Sequence, residues 1–168
     1  MWQVGTYKAA LWRTGDGGNI CTAQELRQKL LQLERGIVLL DGYSGAGKTT
    51  LLAQLQQETA RGCVRMNCEQ VRDMLLARVK ASETFSLNEG GETVVILEDM
   101  DFLRGEATLE EIGRAVLRAE EDGAVVIITG YQLRGRIPVL TRICQRSERA
   151  EYYTAVPTGE RKQRKQEE

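Results

Sequence analysis

Apolar residues are distributed along this chain in two alternating patterns. Short unbroken runs at Ile37–Leu40 (IVLL), Thr93–Leu97 (TVVIL) and Ala124–Thr129 (AVVIIT) read as strands buried on both faces of a parallel sheet. Between them, apolar residues recur near helical spacing. Leu26, Leu30, Leu31 and Leu33 predict a helix that starts at a Thr22–Glu25 capping box and runs to about Arg35, where Gly36 ends it. Leu51, Leu52 and Leu55 predict a helix over Thr49–Thr59, and further helices are expected at about Glu69–Ala81 and Thr108–Asp122. A second capping box, Thr108 with Glu111, opens the last of these and Gly123 closes it.

Weaker signals fill the rest. Trp2–Trp12 alternates loosely, as an edge strand would, and Thr14–Asn19 (TGDGGN) has the composition of a turn. Cys63–Asn67 predicts a short strand and Ser82–Glu92 a polar loop; Pro138 starts a short helix through about Arg146, and Tyr152–Val156 forms a last edge strand. The stretch from Pro157 has almost no apolar side chains to bury and is expected to be disordered. Strands alternating with helices argue for an α/β fold, a parallel sheet covered on both faces. Its core spans residues 36–156, residues 1–35 lead into it, and 157–168 form a charged tail.

At 168 residues, 42% hydrophobic and 28% charged, the chain fits one globular domain of ordinary size. Its 23 basic and 24 acidic side chains leave a net charge of −1, which gives no global attraction to nucleic acid or anionic membrane, so any DNA contact must be local. No apolar run approaches the roughly 20 residues that span a bilayer, and MWQVGTYKAALWR lacks the apolar core of a signal peptide; a cytoplasmic protein is expected. The four cysteines, Cys21, Cys63, Cys68 and Cys144, are scattered and there is no histidine, so reduced structural thiols are expected rather than a zinc site.

The chemistry concentrates in Asp41–Thr50, DGYSGAGKTT. Gly42, Gly47, Lys48 and Thr49 fit G-x-x-x-x-G-K-[ST], with a buried strand before and a helix after. Glycines let the backbone curl so that successive N–H groups point at phosphate oxygens, and the helix adds the positive end of its dipole. The loop Gly42, Tyr43, Ser44, Gly45, Ala46, Gly47, Lys48, Thr49 and Thr50 is thus expected to bind ATP or GTP. Lys48 would reach the β- and γ-phosphates, and the Thr49 hydroxyl would ligate Mg2+. Such a site also needs carboxylates at the end of a neighbouring strand. Val94–Asp99 (VVILED) supplies them: Glu98 nearest the metal and Asp99 as candidate base for an attacking water. Thr129, at the end of another strand, can hydrogen-bond the γ-phosphate or that water, and is equally an ordinary strand residue.

Together with the glycine loop, VRMNCEQVRDMLL (64–76) and VVILEDMDFLRGEATLEE (94–111) resemble the ATPase core of the bacterial replication initiators of the DnaA group and their AAA+ relatives, over about Ile37 to Val156. The resemblance implies a three-layer P-loop NTPase with a mainly parallel five-stranded sheet in the order 5-1-4-3-2. It places Lys48 and Thr49 at the family's phosphate and magnesium positions, Glu98 and Asp99 at its acidic pair and Thr129 at its first sensor. Ile137-Pro138-Val139-Leu140 resembles the stretch before its arginine finger, which points to Arg146, or else Arg142, as a group that completes a neighbour's site in an oligomer. Arginines on such a helix are also commonly a solvated face.

Three departures stand out. Glu98 replaces the usual aspartate, Ser147 follows the finger position where the family has an aromatic, and the family's helical lid and DNA-binding domain are not expected within these residues. The resemblance implies a Mg2+-dependent ATPase acting in replication initiation or helicase loading, with single-stranded DNA contacts at Arg104 and the Ser82–Glu92 loop, or with a replication protein as partner, in a nucleotide-dependent homo- or hetero-oligomer. Two other readings stand beside it. One is a regulatory module that binds ATP without hydrolysing it. The other is a small-molecule kinase whose lid would use Arg134, Arg136 and Arg142.

Overall fold

The computed structural model describes residues 10–15 and 18–157. The expected tail over 158–168, and the part of the expected N-terminal strand before Ala10, lie outside them. In chain order the elements are β1 (Leu11–Thr14), β2 (Ile20–Cys21), α1 (Ala23–Gln32), β3 (Gly36–Asp41), α2 (Lys48–Glu58), β4 (Cys63–Asn67) and α3 (Cys68–Lys80). Then follow β5 (Val94–Glu98), a 3-10 turn at Met100–Phe102, α4 (Glu106–Glu121), β6 (Val125–Gly130), α5 (Leu133–Arg136), α6 (Pro138–Cys144) and β7 (Ala150–Val156).

These strands make one sheet of seven, ordered β2-β1-β7-β3-β6-β5-β4, which corrects the expected five. The parallel part, β7-β3-β6-β5-β4, runs 5-1-4-3-2 when its own strands are numbered along the chain. The two additional strands come from the N-terminal segment. Leu11–Thr14 pairs antiparallel with Tyr153–Val156, and Ile20–Cys21 pairs with β1. β7 is therefore an interior strand and not the expected edge. Its alternation carries the reason: Tyr152 and Tyr153 are both buried, one toward each face, and both neighbours' backbones are needed to satisfy the strand.

Period-two alternation splits the core into two layers. Ile37, Leu39, Val95, Leu97, Val126 and Ile128 pack on one side with α3, α4, α6 and the loop residues Phe85 and Leu87. Val38, Leu40, Val94, Ile96, Val125 and Ile127 pack on the other with Trp12, α1 and α2. The architecture is α/β/α in three layers, as a central parallel sheet requires. Among the described residues no helix is long and apolar enough to cross a membrane.

Two capping expectations have different outcomes. The Thr22–Glu25 box forms, Glu25 N–H donating to Thr22 Oγ1 at 3.1 Å and Thr22 N–H to Glu25 Oε1 at 2.9 Å. The Thr108–Glu111 box does not. Gly105, at φ +96°, turns the chain into α4 two residues early, which puts Thr108 inside the helix, and Glu111 pairs instead with Arg114 at 2.7 Å. α3 has a box that the sequence reading missed, Asn67 with Gln70.

Candidate functional site

All the parallel strands point their carboxyl ends the same way, so the connections leaving β3, β5 and β6 gather on one rim of the sheet. There they enclose a cavity of about 600 Å³. Its wall comprises Tyr43 to Thr50 from the β3–α2 loop, Asp99, Asp101 and Phe102 after β5, and Gly130, Tyr131 and Arg136 after β6. Eight of the nine expected loop residues line it; Gly42 lies beneath.

The local sequence explains the loop's shape. Gly45 and Gly47 adopt φ of +87° and +92°, where a side chain is strained, and α2 starts immediately after Gly47. Gly42 is required for a different reason: a Cβ there would meet Trp12 Cη2 at 3.1 Å and the Cβ atoms of Ala155 and Ala46 at 3.2 and 3.3 Å. The loop is thus seated directly on β1 and β7. Lys48 curls over it, its ammonium donating to the Gly42 carbonyl and, at 3.3 Å, to the Tyr43 carbonyl. Burial lowers the Lys48 pKa, and Asp101, Asp99 and Asp41, in that order, counter the shift.

The acidic pair separates. Asp99 lines the cavity with a left-handed backbone, φ +56°, a conformation that Asp tolerates better than most residues. Its N–H donates to Thr129 Oγ1 at 3.3 Å, so the buried Thr129 positions the backbone of Asp99, although Thr129 does not itself line the cavity. Burial raises the Asp99 pKa, as do the neighbouring carboxylates of Glu98 and Asp101, against a smaller pull from Lys48. Glu98 lies outside the cavity wall. Both its oxygens accept from Arg65, at 2.8 Å each, across the β4–β5 ladder. Holding Glu98 also raises the Arg65 pKa.

Sequence reasoning missed three residues. Asp101 is a 3%-exposed carboxylate in the cavity wall whose Oδ2 meets Arg136 at 3.5 Å. Its signal was an acid two positions past a pair already noticed. Asp41 stands in the sequence reading only as the head of the glycine-loop stretch, yet its carboxylate accepts from the N–H groups of Gln132 and Leu133 at 2.8 and 3.0 Å and from the Tyr152 hydroxyl, fastening the β6–α5 connection. Arg65 had no readable signal, because its partner is set by cross-strand register.

Other predicted positions lie elsewhere. Arg146 is exposed beside Glu120, Glu121 and Glu148, between α6 and the start of β7, at the amino ends of the parallel strands. That is the rim opposite its own chain's glycine loop. Arg142 is exposed on α6. Of the three arginines considered for a kinase lid only Arg136 lines the cavity; Arg134 stacks on the Tyr152 ring at 4.0 Å. Arg104 donates to the carbonyls of Asp101 and Leu103, at 2.7 Å each, and the Ser82–Glu92 loop is anchored by the buried Phe85 and Leu87. All four cysteines are free.

Comparison with known proteins fits this geometry. Domain III of the Thermotoga maritima replication initiation protein DnaA superposes with a TM-score of 0.59 at 19% identity, over 83% of this chain and 61% of that one. A replication initiator DnaA bound to AMPPCP and single-stranded DNA gives 0.57 at 17% identity, over 81% and 44%. AMPPCP-bound DnaA from Aquifex aeolicus gives 0.57 at 18%, over 72% and 42%. The chain therefore spans from 42% to 61% of the length of these structures, and at such identities the likeness is one of fold. No curated protein matches its sequence significantly. The sequence profile of the ATPase family associated with various cellular activities (AAA) matches residues 38–153, more than half the chain and the whole span from the glycine loop to β7, and the chain belongs to that family.

Proposed function

We propose that the chain is a DnaA-like AAA+ ATPase domain that binds ATP with Mg2+ and works in replication initiation or helicase loading through nucleotide-dependent assembly. The observation carrying this reading is the cavity in which Lys48, the glycine loop and Asp99 face one another at the carboxyl rim of the sheet. Loop N–H groups and the Lys48 ammonium would hold the phosphates, an exchange in which Lys48 leaves loop carbonyls for better acceptors. Thr49 would contribute a hydroxyl to the metal, whose bound charge would offset that building on the phosphates. Among the described residues no three acidic or thiol side chains cluster to hold a metal unaided, so the ion would be shared with phosphate oxygens.

Asp99 would act as base toward water, oriented through its backbone by Thr129. Arg146, on the far rim, would complete a neighbouring subunit's site in trans. Single-stranded DNA is the proposed nucleic-acid partner, because one of the structures with this fold binds it. ATP turnover per monomer, measured against protein concentration with and without single-stranded DNA, tests the reading: it should rise with concentration and fall with Arg146→Ala. Turnover that is independent of both would remove the trans arginine and the assembly.

One observation favours a second reading, a module that binds ATP without hydrolysing it. Glu98 is bound on both oxygens by Arg65 and is unavailable to a metal while that pair lasts. Tight binding with no turnover under any of these conditions would select it.

A further inference from the structure

Arg136 combines a rigid base with a loosely held head. Its helix α5 is fixed from below: Leu133 is fully buried, and Asp41 accepts from the N–H groups of Gln132 and Leu133. Asp101, its partner, is fixed equally well. A Cβ on Gly130 would meet Asp101 Oδ1 and Leu133 Cδ2 at 2.6 Å each, so that carboxylate sits tight against the end of β6. The side chain as a whole, however, is 39% exposed, and its guanidinium meets Asp101 only at 3.5 Å, with the Tyr131 ring centroid 5.5 Å away. Contacts that long at a half-open site hold weakly. Asp101 also lies near enough to be the strongest acidic influence on Lys48, so the cavity carries an alternating row, Lys48, Asp101, Arg136.

A nucleoside triphosphate extends a γ-phosphate of about two negative charges toward such a row, whereas a diphosphate ends one phosphate short of it. Resting on the ATP-binding reading above, we propose that Arg136 is a specificity-determining residue of the same chain that leaves Asp101 to bind the γ-phosphate, making the domain distinguish ATP from ADP. Asp101 is then the resting partner that the γ-phosphate displaces. Arg136 thereby reports the triphosphate to α5 and α6, the elements that lead to Arg146 on the far rim.

The test is equilibrium binding of fluorescent ATP and ADP to the full chain, with thermal melts as a folding control. Arg136→Ala should weaken ATP by about tenfold and ADP by less than twofold, the size of one charge-assisted contact. Arg136→Gln, which keeps a polar side chain but removes the guanidinium, should do the same. Asp101→Asn should tighten ATP in the otherwise native chain and give no such gain when combined with Arg136→Ala. Equal losses for ATP and ADP, no loss for either, or an Asp101→Asn gain that survives without Arg136 would each overturn the proposal and leave nucleotide binding intact. A native chain that bound neither nucleotide would overturn the reading beneath it as well.

Discussion

The two rims of the sheet are both rich in arginine and carboxylate, but they use them oppositely. On the rim away from the glycine loop the buried and half-buried groups Arg61 and Glu120 have settled partners. Arg61 donates to Thr93 Oγ1, the Leu33 carbonyl and the Gly123 carbonyl at 2.9–3.1 Å, tying the ends of three connections together. Glu120, 2% exposed, accepts from the Ser147 hydroxyl and from Arg149 at 3.2 Å. On the loop rim an ammonium rests on carbonyls, a carboxylate sits on a left-handed backbone with a raised pKa, and an arginine is held at 3.5 Å. The far rim lowers the energy of the fold, whereas the loop rim keeps groups short of their best partners, which is how a binding site is distinguished from a structural network.

The contrast can be broken most sharply at Asp99. Asp99→Asn should cut ATP turnover by about a hundredfold or more, the usual cost of losing a general base, while leaving ATP bound. The same variant should be more stable than the native chain at pH 7. Burial and the neighbouring Glu98 and Asp101 raise Asp99 above its ordinary 3.8, so its charged form costs the folded state. That cost is absent below pH 3.8 and sets in as pH rises through the raised value. Melting temperatures at pH 3.5 and 7 check it: the gain should appear only at the higher pH. By the same shift, the acid limb of the native turnover profile should lie above pH 3.8.

On the far rim the expectation reverses. Arg61→Ala leaves two carbonyls without their donor and should cost about 2 kcal/mol in chemical denaturation, with ATP affinity unchanged. The smallest effect is expected at Glu98, which belongs to neither class. Because it is committed to Arg65, Glu98→Gln should lower turnover by less than about tenfold, well short of Asp99→Asn. An effect as large as that at Asp99 would mean that the Arg65 pair opens during the cycle.

Which of these features could be read from the sequence follows from the range of the interactions. The glycine loop and the parallel strands rest on local pattern: IVLL, then DGYSGAGKTT, then leucines at helical spacing. Their placement around one rim follows from parallel topology. β1 was faint because it is short and its long-range partner is distant in sequence, Leu11 opposite Val156 and Trp12 opposite Ala155, while β2 is only two residues long and pairs with β1. The Thr108 box failed because a single glycine conformation, Gly105, shifted the helix start. Asp41, Asp101 and Arg65 share one reason for being missed: each acts through a side chain many positions away, and no periodicity encodes that.

The central claim, that the loop rim binds nucleotide and the Arg61 network on the far rim only holds the fold, is tested most directly by calorimetric titration of ATP with Mg2+ into Lys48→Ala and Arg61→Ala beside the native chain. The account predicts that Lys48→Ala stays folded and loses about a hundredfold or more in affinity, while Arg61→Ala binds as the native chain does. Unchanged binding in Lys48→Ala, or a comparable loss in Arg61→Ala measured where it is fully folded, would contradict it.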